Sequence, residues 1–235
     1  MPTLSTLSLA ILGSVVPAVI WLMFWLREDV RHPEPRRFIV LSFILGMIAV
    51  PLVLPFQKLA FEYLPNGLWL LIAWAAVEEI FKYGAAYIGG LGRRVTDEPI
   101  DIVVYLISAA LGFAAFENML FLISPFLEGD IVLGVLTGNV RFIGATLLHT
   151  LSSGALGAVM AFSFYRQKVV REEHLFIGLL LAIALHTIFN YLIMVHGANG
   201  LFPVFFGVWV ALIGLIFIFE KVKRIKKQHV IEPIT

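Results

Sequence analysis

Seven stretches of this chain, at about residues 4–26, 38–60, 68–90, 100–123, 140–163, 175–194 and 201–220, stay apolar for long enough to cross a bilayer. A transmembrane helix needs roughly 20 mostly apolar residues. Inside hydrocarbon only a helix or a closed barrel can satisfy its own backbone. Unbroken apolar runs of this length read as helices, so the expected fold is all-α: a polytopic membrane helix bundle of about seven transmembrane helices. Composition agrees, with 60% of 235 residues hydrophobic, 14% charged and a mean hydropathy of +0.94. A water-facing surface cannot be built from such a chain. The absence of cysteine removes disulfides, a thiol nucleophile and thiolate metal sites. The expected surroundings are the lipid bilayer, with no nucleic-acid partner, and the oligomeric state is not legible.

Charge position sets the orientation. Lys and Arg gather in segments 27–37, 91–99 and 164–174 and in the tail from Lys221, whereas 61–67 and 195–200 have none and 124–139 carries Glu128 and Asp130. Of 17 basic residues, 14 fall on one side, and Lys58, Lys82 and Arg141 are the exceptions. By the positive-inside rule the N-terminus is outside and the C-terminus cytoplasmic, in the cell (plasma or inner) membrane. The first span has no Lys or Arg before it and Arg27, Arg31, Arg36 and Arg37 after it, the reverse of a cleavable signal, so it is expected to remain as an anchor. The connecting segments are short, and 1–235 reads as a single integral membrane domain. The run KVKRIKK reads as a stop-transfer flank and QHVIEPIT as a polar stub.

Ionisable groups at bilayer depth cost at least ~2.5 kcal/mol each, so the few present are informative. Span three carries Glu78, Glu79 and Lys82; span four Glu117; span five His149, with Arg141 near its outer end; and span six His186 and Asn190. At ~1.5 Å per residue, Glu78 and Glu79 lie ~15 Å below the outer surface, Glu117 ~9 Å, His149 ~13 Å and His186 ~12 Å. Four helices thus place polar groups in one layer, far more ionisable material than helix packing requires. Glu78 and Lys82, at i,i+4, are expected to pair. Glu78 and Glu79 lie ~100° apart, so both are not expected to face inward equally. Arg141 either snorkels to the headgroups or pairs with Glu117. Ser153 with Gly157, and Gly89, Gly90 and Gly92, read as close helix contacts. Pro51 and Pro55 are expected to kink span two, and Asp97, Glu98 and His32 read as solvated surface.

Peptide hydrolysis requires a base for water, a donor for the oxyanion and a proton for the leaving amine, all of which glutamates and histidines supply. Zincin spacing is absent, because His149 is followed by TLSS and His186 by TIFN. No pair of aspartates lies within the spans. A dyad of Ser152 or Ser153 with a histidine would leave the glutamates unexplained. A proton- or cation-coupled transporter is the rival from another class, although no hydropathy repeat or broken helix pair supports it.

The strings Glu78-Glu79-Ile80-Phe81-Lys82 and Phe113-Ala114-Ala115-Phe116-Glu117-Asn118, with His149 and His186-x-x-x-Asn190, resemble the PrsW family of intramembrane proteases. That family belongs with the CAAX-processing and bacteriocin-processing membrane proteases, whose pattern is a double Glu with a following basic residue, then Phe-x-x-x-His, then His-x-x-x-Asn. The likeness covers about residues 68–194, the expected catalytic core. Where the wider superfamily has a second-motif His, this chain has Glu117, as PrsW-like sequences do, which sets carboxylate beside carboxylate. The resemblance implies a metal-free glutamic mechanism in which Glu78 or Glu79 activates water with help from Glu117. His186 and Asn190 would form the oxyanion hole, His149 would orient groups or donate the proton, and Lys82 and Arg141 would support them. It also implies a single-span membrane protein as substrate, such as an anti-sigma factor, cut near the outer face. Charge counting keeps a zinc-dependent alternative open. Glu78, Glu79 and Glu117 against Lys82, with His149 and His186 neutral, leave a net charge of −2 that one Zn²⁺ would cancel, and the three glutamates and two histidines would be its ligands.

Overall fold

The structure, a computed structural model, describes residues 4–27, 33–197 and 201–226, and among these no strand occurs. Arg31, His32 and the tail from Lys227 lie outside the described residues. The helices are α1 (Leu4–Leu26), α2 (Arg36–Tyr63), α3 (Leu68–Ala86), α4 (Pro99–Leu127), α5 (Ile131–Arg141), α6 (Leu147–Ala161), α7 (Lys168–His196) and α8 (Leu201–Val222). A π-turn, Tyr87–Leu91, extends α3, and another, Phe142–Thr146, joins α5 to α6 without a break. Seven continuous helices result among the described residues, and the chain is a polytopic membrane bundle. Six are long and apolar enough to cross a membrane. The seventh, α3, carries three charges, Glu78, Glu79 and Lys82.

Most helices outrun the apolar stretches that predict them, because charged residues at their ends continue a helix into the headgroup layer. The fifth span departs furthest: residues 131–139, expected in a loop, are helical. Asp130 starts that helix by accepting from the Leu133 amide at 2.8 Å, and Gly134 lets it lie against the Phe126 ring.

The bundle is organised around α4, which is apolar on every face and buried along nearly its whole length. Its start is fixed by Pro99 in the first turn and by Asp101, whose carboxylate accepts from the amides of Glu98 at 2.7 Å and Asp97 at 2.9 Å. Glu98 completes the capping box, so Asp97 and Glu98 do more than face solvent. The Tyr105 hydroxyl of α4 donates to buried Glu34, just before α2. Glycines set the α2–α4 spacing: a Cβ on Gly46 would overlap the Ala109 carbonyl, and one on Gly112 the Phe43 carbonyl. Gly157 sits against Val103, Gly89 against Ser42 and Gly90 against the Tyr105 ring, so these glycines serve helix contact. Pro51 and Pro55 lie inside one continuous helix.

Three turns, at Gly67 (φ 117°), Gly129 (φ 78°) and Gly197 (φ 53°), use the left-handed conformation that glycine tolerates. They close one side of the bundle; the Lys- and Arg-rich connections lie on the other. Helix α5 packs on α4 and the edge of α1, and its backbone stays apart from α2, α3 and α7. That leaves a gap beside the site described next.

Candidate active site

Measured from helix ends, Glu78, Glu117 and His186 share one level, whereas His149 lies further along its helix, which starts at Ile131. Glu78 lies ten residues from Leu68, Glu117 ten from Leu127 and His186 ten from His196, so each is ~15 Å from the same side. The ~9 Å depth expected for Glu117 was short because α4 runs on through Pro125.

Both glutamates of the pair are buried, Glu78 with 6% and Glu79 with 0% exposure. A ~100° separation is accommodated because α3 has neighbours on both sides: α2 on the Glu78 side, α6 and α7 on the Glu79 side. The two carboxylates have different surroundings. Glu79 Oε1 accepts from Lys82 Nζ at 2.6 Å, His186 Nδ1 at 2.8 Å and Ser152 Oγ at 2.9 Å. Glu78 Oε1 accepts from Gln57 Nε2 at 2.8 Å, and the Oε2 atoms of both glutamates have no hydrogen-bond partner. Lys82 therefore pairs with Glu79 at i,i+3 rather than with Glu78. Its ammonium also donates to His149 Nδ1 at 2.8 Å.

These contacts set the histidine tautomers. His186 gives its Nδ1 proton to Glu79, so its Nε2 lone pair faces Glu78 Oε2 across 3.7 Å. His149 accepts at Nδ1 and so donates from Nε2 to Glu117 Oε2, 3.2 Å away. The two rings meet edge to face with centroids 5.1 Å apart, and the Phe113 ring lies 5.3 Å from His149.

Arg141 is part of the site and not a headgroup anchor. Its Nη2 donates to Glu117 Oε2 at 2.7 Å and its Nε to Asn118 Oδ1 at 2.8 Å, while Asn118 Nδ2 donates to Thr146 Oγ1 at 2.8 Å. The π-turn explains how Arg141 and His149 both reach Glu117. Eight residues of regular helix sweep ~800°, leaving roughly 80° between the two side chains, and the wider turn absorbs most of that difference. With Arg141 counted, three carboxylates stand against two cations, and the formal imbalance of the layer falls to −1. Charge alone no longer calls for a divalent ion.

A cavity of about 420 Å³ opens on this cluster. Glu78, Glu117, His149 and Asn190 line it, and Leu54 and Phe121, both exposed, form part of its apolar rim. Glu79 and Lys82 lie behind that wall. The structure thus brings together Glu78, Glu79, Lys82, Glu117, Arg141, His149 and His186 by direct contacts, and sets Asn190 on the shared cavity. Sequence reasoning missed Gln57, a lone amide inside span two, and treated Ser152 only as a nucleophile although it donates to Glu79. Trp74, whose indole donates to the Gln57 carbonyl at 2.9 Å, is one turn from Glu78 on the same helix.

The residues present fit a divalent metal in part. Glu78, His149 and His186 each offer one ligand atom, all within 4.8 Å of one another, and a carboxylate with two imidazoles is an ordinary zinc set. Glu78 Oε2 and His186 Nε2 are free to coordinate. His149 would first have to release Lys82 or Glu117. Glu79 and Glu117 each have one carboxylate oxygen, Oε1 and Oε2 respectively, taken up by partners.

A polytopic membrane bundle with carboxylates and imidazoles converging on an intramembrane cavity has the groups that an intramembrane hydrolase requires. The family described as "PrsW family intramembrane metalloprotease" matches residues 34–218, and the chain belongs to that family. Among relatives, Protease PrsW of Geobacillus kaustophilus is 27% identical over 191 residues, covering 77% of this chain and 78% of the relative. Protease PrsW of Halalkalibacterium halodurans is 24% identical over 199 residues (81% and 86%), and that of Clostridioides difficile 25% over 190 residues (78% of each). No solved structure matches the chain. The protein is a multi-pass membrane peptide hydrolase.

Proposed function

We propose that this protease cleaves a single-span membrane protein, of the kind an anti-sigma factor represents, near the outer membrane face, using water activated by Glu78. The observation that carries the reading is the asymmetry of the glutamate pair. Each glutamate has an unpartnered Oε2, but Glu79 lies behind the cavity wall with its Oε1 accepting from Lys82, Ser152 and His186, whereas Glu78 lines the cavity and turns its Oε2 toward the His186 lone pair at 3.7 Å. A water between these two acceptors gives a proton to Glu78 as its oxygen attacks the scissile carbonyl carbon. The Asn190 amide donates to the resulting oxyanion, and His186 Nε2 accepts a hydrogen bond from the proton that stays on the attacking oxygen. Collapse breaks the C–N bond, and the proton on Glu78 passes to the leaving amine. Glu79 holds the imidazole of His186 in its reactive tautomer, and Arg141 and His149 neutralise and orient Glu117.

The depth of ~15 Å and the basic opposite side favour cutting in the outer half of the bilayer. The gap between α5 and α2, rimmed by Leu54 and Phe121, favours lateral entry of a substrate helix, which must unwind locally to expose a peptide bond.

A second reading rests on the convergence of Glu78, His149 and His186 and on the family's description as metalloproteases. A zinc ion held there would supply Lewis acidity and a more acidic bound water. Glu117, bound to His149 and Arg141 through Oε2, would then offer its Oε1 as a proton acceptor. Purified protein in proteoliposomes with a membrane-anchored reporter separates these readings. Chelator-indifferent cleavage supports the direct glutamate route. Stoichiometric metal with chelator-sensitive cleavage supports the zinc route. Ion flux without cleavage sinks both in favour of transport.

A further inference from the structure

A second cavity, of about 330 Å³, lies at the opposite, basic end of the bundle. Its polar lining includes Tyr83, Tyr87, Arg93, Thr96, Ser163 and Arg171. Arg93 is fixed in place. Its Nε and Nη2 donate to the Ile88 carbonyl at 3.2 and 3.0 Å, filling an acceptor at the π-turn, and its guanidinium lies 5.2 Å from the Phe38 ring centre. Thr96 Oγ1 ties the same loop to the Gly90 carbonyl at 3.1 Å. Arg93 still has Nη1 to donate. Arg171, one turn into α7, has no hydrogen bond or ion pair from its side chain among the described residues, although Glu172 and Glu173 follow it in sequence. Two guanidiniums on one concave wall, one rigid and one unpaired, with two phenols beside them, form an oxyanion receptor.

The level of this cavity identifies the ligand. It sits where α3 ends, α6 ends and α7 begins, beside the connections that carry most of the bundle's basic residues. Tyrosine at that level is the usual interfacial anchor, and the cytoplasmic leaflet is where anionic lipid is found. We infer that the pocket between Arg93 and Arg171 binds the phosphate of an anionic phospholipid headgroup at the basic face. This site is separate from the cleavage site, and the inference does not depend on the proposed mechanism. The bound lipid bridges the α3–α4 connection and the start of α7, the two helices that carry Glu78, Glu79 and His186.

The test is the thermal midpoint of the purified full chain in dodecyl maltoside, titrated separately with phosphatidylglycerol, phosphatidylcholine and inorganic phosphate. Wild type, Arg171→Gln and, as a basic-tail control, Arg224→Gln are compared. The expected result is a saturable upward shift with phosphatidylglycerol and none with phosphatidylcholine. Its apparent affinity falls about fivefold in Arg171→Gln, at ~1 kcal/mol per arginine, and stays unchanged in Arg224→Gln. Arg171 makes no side-chain hydrogen bond or ion pair among the described residues, so this variant should fold as the wild type does. An equal response in wild type and Arg171→Gln overturns the site, and so does an equal loss in Arg224→Gln. A saturable, Arg171-dependent shift with inorganic phosphate overturns the lipid assignment in favour of a soluble phosphate compound.

Discussion

Lys82→Met isolates the energetics that hold the site together. Lys82 has no exposed surface, and its ammonium binds Glu79 at 2.6 Å and His149 at 2.8 Å. Methionine retains most of the volume, so the change is mainly one of charge. Removing one member of a buried ion pair costs roughly 3–5 kcal/mol, because the remaining charge stays desolvated and uncompensated. Here Glu79 would keep two donors, Ser152 and His186, which argues for the lower end; ~3 kcal/mol is roughly a hundredfold in the unfolding equilibrium. Making the second site neutral as well, in Lys82→Met with Glu79→Gln, should recover most of that loss. The assay is equilibrium unfolding in mixed dodecyl maltoside–SDS micelles, followed by tryptophan fluorescence. A single variant within ~0.5 kcal/mol of wild type, the range of an ordinary surface change, would refute the reasoning. So would a double variant no more stable than the single.

Ser152→Ala removes one of three donors to Glu79 and should cost about 1.5–3 kcal/mol of stability while leaving cleavage measurable; complete loss of cleavage in a folded Ser152→Ala protein would point instead to a serine nucleophile. Gly112→Ala drives a methyl into the Phe43 carbonyl and should destabilise by at least about 1–3 kcal/mol in the same unfolding assay, since backbone at that crossing has no room to yield. Burial raises the Glu34 carboxyl above its ordinary value of 4.5, outweighing the Tyr105 hydrogen bond that lowers it. A raised folded-state value means that the folded protein holds the proton more tightly, so the contribution is present at acid pH and is lost as pH rises through the folded value. Glu34→Gln, neutral at every pH, should therefore gain stability relative to wild type as pH rises, a difference readable as diverging thermal midpoints.

The helix count, the shared depth of the polar groups and the membership of the cluster were legible in the sequence because they depend on period and distance along a helix. The partners within the cluster were not. An i,i+4 spacing favours Glu78–Lys82 on an isolated helix, but Glu79 faces α6 and α7, where Ser152 and His186 wait, and a desolvated ammonium follows the carboxylate with the most donors. Arg141 was ambiguous because helical phase is counted from regular turns, and the π-turn at Phe142–Thr146 shifts it. Gln57 escaped notice because a single amide in an apolar span carries no pattern; only packing of α2 against α3 gives it Glu78. Glu98 read as solvated surface although Glu98-Pro99-x-Asp101 has the spacing of a helix start, and the structure makes it a cap. Glu34 was not, as its partner Tyr105 lies 71 residues away.

The most direct test of the account is the cleavage rate of a membrane-anchored reporter in proteoliposomes by Glu78→Gln, with the unfolding midpoint measured on the same preparation. The account predicts a fall of about 10²–10⁴-fold, the usual contribution of a general base, with the midpoint unchanged, since Gln57 can still hydrogen-bond the amide. Cleavage by Glu78→Gln at the wild-type rate would contradict it.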